Sequence, residues 1–157
     1  MLNLITNRTQ SDVDALRSAF DRIYNGNATD QDYSLLSQNI GSYNASDLNR
    51  VGFAIRWLSA SLKQIGYGSI ILAKTDWTEK DLPTNADLDD YLAVVSMIRS
   101  VLPVPKDAPL VPQLPMNYEK ANDVERILLL VETLVENVKK AWFIPARFMP
   151  ERPKRGK

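Results

Sequence analysis

Leu48, Val51, Ile55, Leu58, Leu62 and Ile65 recur at spacings of three, four, three, four and three residues. Only an α-helix gathers such positions onto one side of the chain. The alternation returns in Val124, Leu128, Val131, Val135, Val138 and Trp142, so the chain has two long amphipathic helices, each in need of an apolar neighbour. The first seam lasts under three heptads, which leaves a coiled-coil partner as the alternative, but packing inside a small bundle is the better solution.

Between the seams the sequence marks its own helix starts. Thr9 or Ser11, with Asp12 and Asp14 behind them, predicts a first helix whose apolar face is Val13, Leu16, Phe20 and Ile23. A hydroxyl there satisfies free backbone N–H groups, and carboxylates suit the positive helix end. Asn25-Gly26-Asn27 ends it, and Thr29 with Asp32 imitates a capping box for a short second helix running toward Ile40 and Gly41. Asn44 or Ser46 caps the third, which Gly66 and Gly68 break. Ser69 to Ala73 reads as a brief strand or a buried connector, and Thr75-Asp76-Trp77-Thr78 as a turn in which Asp76 braces the chain beside Trp77. Thr84 with Asp87 opens a fourth helix carrying Leu88, Tyr91, Leu92, Val95, Ile98 and Leu102, and Pro103 terminates it. A fifth helix runs from about Asn117 to Trp142.

Five prolines fall within the thirteen residues from Pro103 to Pro115, too many for a helix, so this stretch is extended. Its apolar Val104, Leu110, Val111 and Leu114 favour a strap packed on the helical body over a free spacer. The expected fold is therefore all-α: a bundle of about five helices over residues 1–143, with a proline-rich strap, followed by an extended arm over 144–157. That arm holds five basic residues against one acidic.

The fifth helix has a second apolar stripe, Ile127, Leu130, Leu134 and Ala141, beside the first. Two stripes exceed what one neighbour covers, which points to contact with another subunit. The expected subunit-contact residues are Ile127, Leu130, Leu134, Trp142, Phe143, Arg147, Phe148, Arg152, Lys154 and Arg155, and the expected mode is a homo-oligomer. Trp57, Trp77 and Trp142 fit core positions; Tyr67 and Trp77 form a possible ligand surface.

Catalysis is constrained by what is missing. The chain has no cysteine and no histidine, which removes thiolate nucleophiles, zinc thiolate sites, HExxH metal sites and Ser-His-Asp chemistry. Asp12 and Asp14, and Asp87, Asp89 and Asp90, read as helix-start charges rather than ion ligands, so neither a metal nor another cofactor is expected. Gly66-Tyr67-Gly68 lacks the remainder of any nucleotide fingerprint and serves as a helix stop. Asn7-Arg8-Thr9, Asn27-Ala28-Thr29 and Asn44-Ala45-Ser46 match a glycosylation sequon but are explained as capping segments. Lys plus Arg and Asp plus Glu both total 19, so bulk charge gives no reason to expect nucleic acid. The start, MLNLITNRTQ, lacks the basic, apolar character of a signal peptide, and no apolar run approaches the roughly 20 residues that span a bilayer. A soluble protein made in the cytoplasm, without membrane contact, is expected.

Four stretches carry a resemblance: Asn7 to Val13, Tyr43 to Gly52, Lys74-Thr75-Asp76-Trp77 with Asp81-Leu82-Pro83, and Met116 to Leu128. In combination they resemble a family of structural proteins encoded by phages and prophages of Firmicutes, usually found among tail and baseplate genes. The resemblance covers about Asn7 to Phe143, and beyond the Trp-Phe pair the chain departs from the family's pattern. It implies a non-enzymatic virion protein, foremost a tail or baseplate component, working by repeated contacts with its own copies and with other phage proteins. A receptor- or carbohydrate-binding module at the tail tip, or a capsid-associated head-fibre or decoration protein, are the alternatives.

Overall fold

The computed structural model describes residues 2–38, 40–68 and 70–142. They form five helices and no strand: α1 (Gln10–Tyr24), α2 (Asp30–Gln38), α3 (Ala45–Gln64), α4 (Asn85–Ser100) and α5 (Tyr118–Trp142). The all-α bundle expected from the apolar spacing is what the chain adopts.

The helix starts follow the local chemistry. Thr9, Asn44 and Thr84 each cap their helix, and the backbone N–H of each donates in return to the carboxylate of an aspartate three residues on, Asp12, Asp47 and Asp87. At α2, Asp32 accepts from the backbone N–H and hydroxyl of Thr29 at 2.9 and 2.8 Å. Asn117 accepts from the Lys120 N–H at 2.9 Å to start α5. Each device satisfies backbone donors that the first helical turn leaves free. The same pairing at Thr78 and Asp81 opens no helix, because Leu82-Pro83 follows and the residue before a proline disfavours helical backbone.

α3, α4 and α5 pack on one another, while α1 and α2 pack chiefly as a hairpin of their own. The main apolar core belongs to the three-helix body. It contains Val51, Ile55, Leu58 and Leu62 from α3, Leu92, Val95 and Ile98 from α4, and Val124, Ile127, Leu128, Val131 and Val135 from α5. Leu16 and Ala19 of α1 are buried outside it.

The three body helices point the same way. Near their starts Arg50 of α3 meets Glu125 of α5, and Tyr43, just before α3, meets Tyr91 of α4. Further along, Lys139 of α5 lies over Trp57 of α3, and Leu62 of α3 lines a cleft with Ile98 of α4. Parallel helices need long return connections, and these are extended straps. Residues 70–78 alternate between exposed and half-buried, with Ile71, Ala73, Thr75 and Trp77 turned inward. The strap runs antiparallel to α3. The Ile71 N–H donates to Ser59 Oγ, Arg56 donates to Thr75 Oγ1, and Asn49 exchanges two bonds with the Trp77 backbone. A Cβ on Gly52 would stand 2.3 Å from the Lys74 carbonyl oxygen, so glycine is required where the strap crosses the helix. Ser59, Arg56, Gly52 and Asn49 thus form one polar, open stripe along α3.

The turn expected at Thr75–Thr78 is therefore extended chain through Trp77, with turning confined to Glu79 and Lys80. Asp81, not Asp76, braces it. The proline-rich return packs Val111 and Leu114 against the core. Arg99 donates to the Pro109 carbonyl, and Lys120 to those of Gln113 and Pro115.

Candidate functional site

A third strap carries the least foreseeable feature. Residues 2–8 lie antiparallel to α5: the Leu2 N–H donates to Glu132 at 2.7 Å, the Ile5 N–H to Glu125 at 2.6 Å, and Asn122 exchanges two bonds with the Arg8 backbone. Extended chain advances about 10 Å over three residues and a helix about 10.5 Å over seven, so Leu2 and Ile5 match the separation of Glu132 and Glu125. Glu125 is completely buried, and the Arg8 side chain is 1% exposed.

At the inner end of this strap two arginines and two carboxylates close a neutral lock. Arg8 Nη2 lies 2.8 Å from both Asp47 and Glu125, Arg50 pairs with the same two carboxylates, and Arg8 Nη1 donates to the Ile5 carbonyl. Burial opposes the Arg50 charge, but the hydrogen bonds and attraction of Glu125 and Asp47 outweigh it and hold the guanidinium above its ordinary pKa. Tyr43 lies under the Arg8 guanidinium and hydrogen-bonds to Tyr91. Burial pushes both phenols above the usual tyrosine range, so they stay neutral.

Two grooves flank the lock where α3 and α5 begin. One, of about 720 Å³, lies between the end of α2, the start of α3 and the 77–83 turn, with Trp77, Asn44, Asn49 and Asp81 on its walls. The other, of about 580 Å³, lies between α1, the 41–43 link and the start of α5. Its lining includes Arg8, Arg17, Val13, Leu88, Met116 and Tyr118, and no carboxylate. Tyr43, Leu48 and Pro83 border both.

The residues singled out from sequence fall in different places. Ile127 is fully buried in the body's core, which removes it from the expected subunit contact. Leu134 packs against that core, and Leu130 is half-buried. The two apolar stripes of α5 look surplus for one neighbour, but α5 has two helical neighbours, α3 and α4, and the 2–8 strap besides. Trp142 closes α5; Phe143, Arg147, Phe148, Arg152, Lys154 and Arg155, with the whole 144–157 arm, lie outside the described residues. Tyr67 and Trp77 share no groove, since Tyr67 borders a separate cleft of about 230 Å³ beside Ile98. Neither Trp57 nor Trp77 enters the core; each is capped by a lysine, Lys139 at 5.5 Å and Lys74 at 3.7 Å from the ring centroid. Asp12 and Asp87 turn back on their own helix starts, and Asp14 accepts from Gln10. Among the described residues no group of three or more carboxylates is arranged to hold a metal ion, and no helix is long and apolar enough to cross a membrane.

The lock was missed because charged residues were read by their neighbours in sequence. One signal was available: Ala121, Val124, Glu125, Leu128, Val131, Glu132 and Val135 form a continuous helical face, and two glutamates on an otherwise apolar face require buried partners. Comparison with protein-family models, with curated proteins and with solved structures finds no match.

Proposed function

We propose that this chain is a non-enzymatic structural subunit of a bacteriophage particle, foremost of the tail or baseplate. It is made in the host cytoplasm and works in the virion through repeated contacts with its own copies and with neighbouring particle proteins. One observation carries the reading: the four stretches behind the family resemblance meet in space as architecture. Arg8, Asp47, Arg50, Asn122 and Glu125 tie the 2–8 strap to α3 and α5, and Asn49, Gly52, Lys74 and Trp77 seat the 70–78 strap on α3. Apart from the Arg8 Nε–H, the buried side-chain polar atoms among them are spent on one another and on the straps, as suits a scaffold rather than a reaction centre. Labelling the protein in intact particles and locating it by electron microscopy tests the proposal. A position in the tail or baseplate supports it, a position on the head favours a capsid-associated role, and absence from purified particles overturns it.

A receptor- or carbohydrate-binding role at the tail tip is favoured by one feature, the Trp77 wall of the 720 Å³ groove. Binding to host cell-wall fractions that is lost in Trp77→Ala, with the fold retained, is its test.

A further inference from the structure

Asn25-Gly26 is the only place in the chain where glycine follows asparagine, and it closes α1. Asn25 caps the helix, and Gly26, at φ 73°, takes the left-handed position just beyond it. Four hydrogen bonds draw this corner back onto the last turn. The Asn25 N–H and Nδ2 donate to the Asp21 carbonyl at 3.1 and 2.8 Å, the Gly26 N–H to that of Ile23 at 3.1 Å, and the Asn27 N–H to that of Arg22 at 2.8 Å. Residues 24–27 are nonetheless exposed, and a Cβ on Gly26 would meet nothing within 4 Å. The left-handed backbone selects glycine here, and glycine leaves its peptide nitrogen beside the Asn25 side-chain amide with no side chain to screen it.

We propose that Asn25 is a self-modification site: water converts it to aspartate and isoaspartate, and the closed end of α1 sets the rate. The Gly26 nitrogen attacks Asn25 Cγ. A C–N bond forms there as the Cγ–Nδ2 bond breaks, the Gly26 proton leaves with Nδ2 as ammonia, and a five-membered imide remains. Water then opens the imide. Addition at Cγ leaves aspartate on an unchanged main chain, whereas addition at the former main-chain carbonyl routes the chain through Cγ as isoaspartate. In the structure both reacting groups are engaged elsewhere, the nitrogen's hydrogen with Ile23 and the side-chain amide with Asp21, so the end of α1 must open first. α2 holds that end shut through Arg22 and the buried Asp32. The product opposes reclosure: a carboxylate has no donor for the Asp21 carbonyl and sets a negative charge at the negative end of the helix.

The test is to incubate the full chain in mildly alkaline buffer, folded or in denaturant, and to resolve the asparagine, aspartate and isoaspartate forms of its peptides by chromatography and mass spectrometry. Conversion is expected at Asn25 ahead of every other asparagine, and about tenfold more slowly in the folded chain than in denaturant. Arg22→Gln, at an exposed side chain, should bring the folded rate several-fold closer to the denatured one. Asn25→Gln cannot close the five-membered ring and should abolish conversion at this position. The proposal is overturned if Asn25 stays intact in the folded chain over many half-lives of the denatured one, or if the two rates are equal. A rate unmoved by Arg22→Gln, in a variant that keeps its helical circular dichroism, overturns it as well.

Discussion

The three-helix body is held together in two opposite ways along its length. From Val51 to Leu62 on α3, and in the facing stretches of α4 and α5, the contact is aliphatic, and Val51, Ile55, Leu58, Val95, Ile98, Val131 and Val135 are all completely buried or within rounding of it. Where α3 and α5 begin, the same helices meet through Arg8, Asp47, Arg50 and Glu125. Aliphatic contact is non-directional and tolerates small slides. The lock does not: Arg8, Asp47 and Glu125 are removed from water and Arg50 largely so, and each must find its partner, so one register of strap 2–8 on α5 pairs them. The apolar half supplies the driving force, and we read the polar half as fixing which strap lies where.

The sharpest way to break this contrast is to remove one member of the lock. Glu125→Ala leaves Arg8 and Arg50 with only Asp47 between them and frees the Ile5 N–H, so a loss of about 3–5 kcal/mol is expected in urea denaturation. Hydrogen exchange should rise first in residues 2–8. Leu58→Ala, in the aliphatic half, is expected to cost about 2–5 kcal/mol while leaving strap 2–8 protected up to the global transition. If both variants release the strap equally, the division of labour is wrong.

Gly52→Ala probes the other strap. The new methyl meets the Lys74 carbonyl, so residues 70–78 must lift. A cost of about 1–3 kcal/mol is expected, together with a change in Trp77 fluorescence that Leu58→Ala should not produce. Thr84→Ala removes only a capping oxygen from the exposed start of α4, and about 1 kcal/mol is expected, with both straps unaffected.

The smallest effect lies outside the body, in the α1–α2 hairpin. The Asp32 carboxyl, 1% exposed, is held well below the usual carboxylate range by its hydrogen bonds from Arg22 and then from Thr29. Its folded-state value is depressed, so its stabilisation is complete above the unfolded value of about 4 and is lost as pH falls from there toward the folded value. Melting curves between neutral and strongly acid pH should therefore be less pH-sensitive in Asp32→Asn than in the parent chain. An unchanged acid dependence would mean that the pair contributes nothing to the hairpin.

Much of the helical layout was legible because its signals are local. A threonine or asparagine with an aspartate three residues on marks four of the five starts, and the three-four apolar alternation marks the buried sides of α3 and α5. The straps were legible only in part. Prolines announced the 103–115 return, but local sequence offered only a brief strand or connector as far as Ala73 and a turn beyond it, since the order of 70–78 comes from Ser59, Arg56, Gly52 and Asn49 on another element. The lock was illegible for the same reason: Arg8 lies 39 residues from Asp47 and 117 from Glu125.

By itself, then, the sequence determined which segments coil and where they begin, because capping and amphipathic spacing act within one or two turns. It also removed histidine and cysteine chemistry outright. Only the tertiary structure decided that Val124, Ile127, Leu128, Val131 and Val135 of α5 all turn into the body, that α3, α4 and α5 run parallel with straps returning between them, and that on the buried face of α5 Glu125 is matched by two arginines from distant parts of the chain and Glu132 by the Leu2 N–H. Those outcomes depend on which surfaces meet, and burial makes an unmatched charge costly enough to select the partners.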